Sequence, residues 1–352
     1  MKLTIQAGVV RLTRRKRAIL DREYDNLQRF LRGEDVPLYS ANKQQALRYY
    51  GKIKRKEYPL SLRKDLINLR RAKAFWFLKI PVYGVRGGIK VPVKPHREFP
   101  GGELCESKIV RKNGRYIAML TFEFPTPPMR KCSSVLAVDL GERRAATAVL
   151  WRRGVMKAGF YGKEIRGVRR HYAWLRRRLQ EKGLTQVVKR VGGKERRVVD
   201  AILHRVSKRI VSFALASNSY IVLGDLTGIR RKCRKGKTKK GKRRNRIVNN
   251  MPYYRLTKMI EYKAMQAGIP VITMSEAYTS LTCHRCGGRG KRKTQGLFLC
   301  QYCGEYNADL NAAINIAKKF ERALGYMPLA GAACEPALNQ APSLEAPCES
   351  VG

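Results

Sequence analysis

Acidic residues are scarce in this chain. Its 352 residues hold 26 Asp and Glu against 75 Lys and Arg, a formal net charge of +49. That excess is more than solubility needs and works against compaction through self-repulsion, so a polyanion is its natural counterpart. Long apolar runs are also missing. No stretch approaches the 18 residues of a membrane span, and the opening MKLTIQAGVVRLTRRKRAIL has no continuous apolar core of the secretory kind. The expectation is a soluble, cytoplasmic protein with no membrane partner. No fixed-period repeat is visible, which sets solenoids aside. A wholly disordered basic tail is excluded because 44% of the residues are hydrophobic, and the length suits two or three domains rather than a small disulfide scaffold. Of nine cysteines, five (Cys105, Cys132, Cys233, Cys334, Cys348) show no paired spacing and read as incidental thiols. The other four form CHRC and CQYC pairs, which in a reducing compartment point to metal.

Residues 1–130 mix strand-like and helix-like stretches. Their clearest part is 108–124, where Asn113-Gly114 separates two strand-like runs and Tyr116, Ala118, Leu120, Phe122 and Phe124 alternate with their neighbours, as in a half-buried hairpin. PTPPMRK (125–131) breaks that pattern and marks a domain boundary. Three short strand runs follow (VLAVDL, AATAVLW, VMKAGFY). Next come two helical faces, Ile165, Val168, Tyr172, Leu175, Leu179 and then Val199, Leu203, Val206, Ile210, Phe213, both backed by Arg and Lys. Those basic faces suit either solvent or a nucleic-acid backbone. YIVLGDL is a further buried strand. Residues 230–246, RRKCRKGKTKKGKRRNR, carry 12 Lys or Arg in 17 positions, a solvated loop on the bland view and a phosphate-binding one otherwise. Pro252 opens a helix that Gly268 closes before the strand IPVITM. The Ala/Pro-rich tail from 323 reads as a disordered appendage. The layout is α/β.

Cys283-x2-Cys286, 13 intervening residues and Cys300-x2-Cys303 make the strongest chemical signal. Two chelating knuckles offer four soft thiolates in a tetrahedron, which suits structural Zn²⁺ and leaves no open coordination position. Gly287, Gly288 and Gly304 fit the tight turns. Asp139 ends the run VLAVDLG at a strand's carboxyl end, where open α/β sheets place ligand sites, although Asp-x-Gly alone is usually a turn former. Asp309, in NADLNAAINIAKK, falls at the start of an amphipathic helix, where an N-cap is the ordinary explanation.

The order of these features does more than any one of them. A strand ending in Asp-x-Gly, a second ending in LGDL, Pro252 to Tyr254 with Glu261 to Ala264 in the following helix, Gly268-Ile269 before a strand, Thr279 to Cys283, the two CxxC pairs and ADLNAAINI resemble the TnpB family. These are transposon-encoded RNA-guided DNA nucleases related to type V CRISPR effectors. The resemblance runs closely from about 132 to 320. It implies an α/β RNase H-like (RuvC-like) nuclease domain over 131–280 and 307–322, an inserted zinc ribbon over 281–306, and an N-terminal nucleic-acid-binding β-barrel with a helical insertion over 1–130. It further implies a guide RNA derived from the element's end, a double-stranded DNA target beside a short adjacent motif, action at the nucleoid, and contacts mainly to backbone and heteroduplex shape. In the basic block, Arg230, Arg231, Lys232, Lys239, Lys240, Arg243 and Arg244 would meet nucleic acid, and the aromatic, basic stretch 48–64 is a candidate motif reader.

Such nucleases hold two Mg²⁺ ions on carboxylates. By resemblance Asp139 and Asp309 match the first and third. The family's second, a Glu before Asp-Leu, is Gly224 here. Three explanations stand. Glu276, ending the strand beside the one that ends at Gly224, reaches across the roughly 5 Å between strands; Asp225 substitutes, although adjacent strand residues face opposite ways; or the site is incomplete and the protein is a nuclease-inactive, RNA-guided DNA-binding repressor. The expectation is the first, with Asp139, Glu276 and Asp309 as catalytic metal ligands. A transposase that joins strands directly is the remaining alternative, and nothing separate in the sequence indicates strand transfer.

Overall fold

The computed structural model describes residues 1–72, 75–226, 251–294 and 296–323. The basic block with Arg230, Arg231, Lys232, Lys239, Lys240, Arg243 and Arg244, and the tail from 324, lie outside the described residues. Two compact units divide the chain, Met1–Thr126 and the remainder from Pro127.

In the first unit, alternation builds an antiparallel sheet. Its strands are β1 (Lys2–Val9), β2 (Leu60–Leu62), β3 (Asn68–Ala72), β4 (Phe75–Ile80), β5 (Ile89–Pro95), β6 (Glu103–Leu104), β7 (Ser107–Lys112) and β8 (Arg115–Glu123), ordered β2-β7-β8-β1-β5-β4-β3 with β6 on β8. The β7–β8 hairpin turns on Asn113 and Gly114, both at positive φ (52° and 70°), the twist-matched two-residue turn. Tyr116, Ala118, Leu120 and Phe122 are buried along β8. Helices α1 (Arg14–Phe30) and α2 (Ser40–Tyr50) are inserted between β1 and β2, and Leu20, Tyr24 and Leu27 of α1 join Leu60, Leu78, Val91 and Leu120 in one core. Where the resemblance implies a barrel with a helical insertion, the described pairings form an open path with that insertion. In the candidate motif reader at 48–64, Tyr50 goes to packing. Tyr50 is buried and shares a hydrogen bond with Ser61 Oγ at 3.0 Å, and its ring lies 5.5 Å from that of Tyr58.

The second unit is an α/β layer structure. Strands β9 (Ser134–Asp139), β10 (Ala146–Trp151), β11 (Val155–Tyr161), β12 (Ser219–Asp225) and β13 (Val271–Ser275) lie in the order β11-β10-β9-β12-β13. The first three form an antiparallel meander, and β12 and β13 run parallel to β9. This is the RNase H-like arrangement the resemblance implies. Helices α3 (Glu164–Glu181), α4 (Thr185–Ala216) and α5 (Tyr253–Gln266) cover one face, burying Leu136, Val138, Ile221 and Leu223 with Val199, Leu203, Ile210 and Ile260. Helix α6 (Ala308–Ala323) covers the other, packing Ile314, Ala317 and Phe320 on Ala137, Val149 and Val222. Helix α4 starts well before its apolar stripe. Residues 185–198 hold two glycines and almost no buried side chain, so periodicity does not reveal them; ion pairs Arg176–Glu195 and Arg255–Asp200 tie α4 to α3 and α5. A small antiparallel sheet, β14 (Lys291–Arg292), β15 (Leu297–Cys300) and β16 (Gly304–Asn307), precedes α6.

Candidate active site and cysteine cluster

Strand register decides which side chains share the α6 face. Thr147 pairs with Asp139 and with Phe160, so these three form one cross-strand row. Leu223 pairs with Val138, which sets Gly224 beside Asp139 on the next strand, and Gly224 pairs with Met274. Ala137, Val222 and Met274 pack toward α6. By alternation Asp139, Gly224 and Glu276 belong to that same face, whereas Asp225 belongs to the opposite one.

Glu276 lies one residue past the end of β13, where the chain turns: the Thr279 amide and hydroxyl both donate to the Glu276 carbonyl, at 3.2 and 2.9 Å. Its side chain folds back over β12. A Cβ placed on Gly224 would overlap Glu276 Oε1, Cδ and Cγ, so the Glu276 carboxylate occupies the space a side chain at 224 would take. Gly224 has an ordinary negative-φ strand backbone, so no conformational demand calls for glycine there. What calls for it is this close approach.

Asp309 sits in the first turn of α6, but it does not cap the helix. Asn307 does, its Oδ1 accepting from the amides of Asp309 and Leu310 at 3.0 and 3.1 Å. The Asp309 carboxylate is thereby left for the site. Only 3% of the residue is exposed, and Oδ1 accepts from Arg292 Nη2 of β14 at 2.5 Å. A Cβ on Gly141 would stand 3.9 Å from Asp309 Oδ1, so the turn after Asp139 runs beside Asp309.

Three carboxylates thus share one face, and burial raises the pKa of each. Burial, then the Asp309 charge, push the Asp139 carboxyl up to about 7 against the pull of Arg292. Burial, then Asp139 and Asp225, push Glu276 up to about 8. Asp309 is also raised by burial, with Arg292, Arg144 and Arg143 opposing. Glu276 Oε1 and Asp309 Oδ2 are buried with no hydrogen-bond partner. Orphaned acceptors on mutually repelling carboxylates are costly unless a cation joins them, and an all-oxygen donor set suits a hard divalent ion. Among the described residues, only the cysteine quartet gathers three or more ligand atoms within 4.8 Å of one another. Asp139, Glu276 and Asp309 do not gather within that distance.

The quartet itself is Cys283, Cys286, Cys300 and Cys303. Cys286 Sγ and Cys300 Sγ are 3.6 Å apart, far beyond a disulfide but close to the roughly 3.8 Å edge of a tetrahedron built on 2.3 Å metal–sulfur bonds. Gly287 and Gly304 take positive φ in the two knuckles (75° and 85°), as those turns require. The Arg285 amide points at Cys283 Sγ, 3.4 Å away, and the Tyr306 hydroxyl lies 3.1 Å from the same sulfur.

Helix α6 seats this cluster through polar residues that periodicity alone assigns to nothing. Asn311 Oδ1 accepts from the His284 amide (2.9 Å) while its Nδ2 donates to the Thr282 carbonyl (2.8 Å). Asn315 donates to the carbonyls of Thr279 and Thr282, and Lys318 Nζ to that of His284. The spacing 311, 315, 318, a polar row beside the apolar face of this helix, is the signal that could have found them. Arg292 had none, because nothing in the sequence pairs it with Asp309.

An RNase H-like sheet with acidic side chains near the carboxyl ends of its strands, interrupted by a four-cysteine module, is a RuvC-like fold. The comparisons agree. Residues 253–316 match the family model "Cas12f1-like, TNB domain". The chain is 32% identical over 242 residues to the CRISPR-associated endodeoxyribonuclease Cas12f2 of a Micrarchaeota archaeon, covering 60% of this chain and 42% of that protein. It is 27% identical over 194 residues to the TnpB-like protein MJ0751 of Methanocaldococcus jannaschii, covering 53% of this chain and 68% of that one. Among solved structures, the fold resembles a Cas12f1–sgRNA–target DNA complex at TM-score 0.55 and 15% identity, over 79% of this chain and 68% of that chain. The chain therefore spans less than half the length of its Cas12f2 relative. Together these findings support a TnpB/Cas12f-type family for this chain.

Proposed function

We propose that this chain is an RNA-guided, Mg²⁺-dependent DNA endonuclease of a transposable element. Asp139, Glu276 and Asp309 form its metal-binding catalytic set, and Cys283, Cys286, Cys300 and Cys303 hold a structural zinc. The observation that carries the reading is the exchange at Gly224, since the position without a carboxylate is filled by the carboxylate of Glu276, on the face that also bears Asp139 and Asp309. This supports cutting over guided binding alone, because a binding protein has no use for three desolvated, mutually repelling carboxylates with orphaned oxygens. Two divalent ions held there would supply an activated water and a counter-charge for the leaving oxygen. The chain's own part is to fix the ligands. Asn307 frees Asp309 from capping, Gly224 admits Glu276, and Arg292 holds Asp309 Oδ1.

Guide RNA and double-stranded DNA are the partners that the +49 charge and the named relatives support. The first unit, and the basic block at 230–246, would contribute nucleic-acid contacts. Among the described residues no helix is long and apolar enough to cross a membrane. The test is cleavage of a target plasmid in Mg²⁺ by protein co-expressed with its element's flanking RNA. Cutting that Glu276→Ala and Asp139→Ala both abolish is expected; guided binding without cutting by the unsubstituted protein would refute the endonuclease.

A further inference from the structure

Arg144 lies in the turn between β9 and β10, and its use is not explained by the carboxylate set. The guanidinium carbon stands 3.8 Å from the centre of the Phe160 ring. Phe160 belongs to the cross-strand row of Thr147 and Asp139, so the stack rises from the face that carries the site. The turn's backbone confirms the neighbourhood: a Cβ on Gly141 would meet the Arg144 carbonyl oxygen at 3.1 Å and Asp309 Oδ1 at 3.9 Å. Yet among the described residues the ion pair at Asp309 is made by Arg292, which takes its Oδ1, and not by Arg144. Arg144 Nη1 is buried without a hydrogen-bond partner.

A desolvated guanidinium donor left unpaired is costly, the more so beside carboxylate oxygens that are themselves unpaired. Orphaned donor and orphaned acceptors on one face do not satisfy each other here. A phosphodiester with its accompanying cations would satisfy both, its oxygens taking the guanidinium N–H groups and the cations taking the carboxylates. The planar fork of arginine matches phosphate geometry, and a ring beneath it fixes the plane in advance.

We infer that Arg144, held flat on Phe160, is a phosphate anchor that seats a phosphodiester of the strand being cut against the Asp139–Glu276–Asp309 site. This rests on the endonuclease reading and adds the residue that positions its substrate. Phe160 is a positioning residue that acts through Arg144.

The test uses the guide-RNA complex and a target whose phosphates near the cut are replaced one at a time by neutral methylphosphonates. Arg144→Ala is expected to slow single-turnover cleavage of the natural strand about 100-fold, as loss of a positioned donor does, while target affinity, spread over many phosphate contacts, changes less than about threefold. At one methylphosphonate position, the unsubstituted protein slows comparably and Arg144→Ala adds no further loss. Phe160→Ala slows cleavage about tenfold, Phe160→Tyr restores the rate, and Arg144→Lys recovers only part, because a lysine lacks the fork. Arg152→Ala, on the exposed β10–β11 turn, removes the same charge without effect. Equal slowing by Arg144→Ala at every methylphosphonate position overturns the anchor. If the unsubstituted protein binds its target but does not cut, the endonuclease reading fails on its own, and the same cycle is read from the affinity of a short single strand in Ca²⁺. Coupling there keeps the anchor, and additivity there removes it.

Discussion

Gly224→Ala separates the site's chemistry from the fold's stability. The new Cβ would overlap Glu276 Oε1, Cδ and Cγ, while the strand beneath is locked between β9 and β13 with Leu223 fully buried, so the glutamate must swing away. Two terms then favour the folded state: alanine in place of a strand glycine gains about 0.5–1 kcal/mol, and releasing an orphaned buried carboxylate oxygen recovers about 1–3 kcal/mol. Against these stands the lost packing of the Glu276 stem, about 0.8 kcal/mol per buried CH₂. The variant should melt no lower than the unsubstituted protein in the absence of Mg²⁺, yet lose cleavage by about 100-fold or more, because a two-ion site missing a ligand is crippled. The double variant Gly224→Glu with Glu276→Ala returns a carboxylate to the face from β12 and should recover most of that loss. Paired thermal melts and single-turnover cleavage in Mg²⁺ decide the matter. Cleavage by Gly224→Ala within about threefold of the unsubstituted protein would refute the reasoning, since a ligand displaced from a two-ion site costs far more than that.

In the metal-free protein, Glu276 ionises at about 8 and Asp139 at about 7 against 4.5 and 3.8 in the unfolded chain, so the folded state holds more protons through that window. The stability these two carboxyls contribute should therefore be fully present below about pH 4 and be lost as pH rises to about 8, by at most about 1.4 kcal/mol per pH unit per group; melts with and without Mg²⁺ check it, and this contribution to the slope should vanish in Mg²⁺ and shrink in Glu276→Gln. Zinc removal by a chelator, or Cys300→Ser at a residue 2% exposed, should open residues 281–306 to protease and free Arg292 from Asp309, measured by limited proteolysis alongside zinc content. Asn307→Ala should cost about 1 kcal/mol and Asn307→Asp only a few tenths, read by chemical denaturation, because the cap and not Asp309 satisfies the first amides of α6.

The parts of the fold that could be read from the sequence are those where one local rule dominates. Asn113-Gly114 between alternating runs demands a two-residue hairpin, and both residues take positive φ. The runs VLAVDL and AATAVLW are short continuous apolar stretches buried on both faces, and the stripe of Val199, Leu203, Val206 and Ile210 buries one helical face; run length and period reveal each. Where two parts of the chain cooperate, no local rule applies. Residues 185–198 are helical without an apolar stripe, and Glu195 there pairs with Arg176 of α3. The aromatics of 48–64 look equally suited to bases or to a core, and only the fold reveals that Tyr50 is buried. Asp309 reads as a cap until Asn307, two residues earlier, is seen to do that work.

The candidate site divides along the same line. Asp139 and Asp309 are visible because each has a local context, a strand end before a glycine and a helix start. Glu276 becomes visible only through topology. Register places it next to a glycine 52 positions earlier, and a glycine carries no chemistry to signal the relation. The information lay in the paired departure, an absent side chain on β12 and a spare carboxylate just beyond β13, which makes sense only if the two strands are adjacent and parallel. The arginines were invisible for the opposite reason. With 75 Lys and Arg in the chain, no single one stands out by composition, and what distinguishes Arg292 is its ion pair with the buried Asp309 and Arg144 a guanidinium nitrogen buried without a partner, properties of the folded face alone. In so basic a chain, composition hides the informative cations, and only their contacts in the fold single them out.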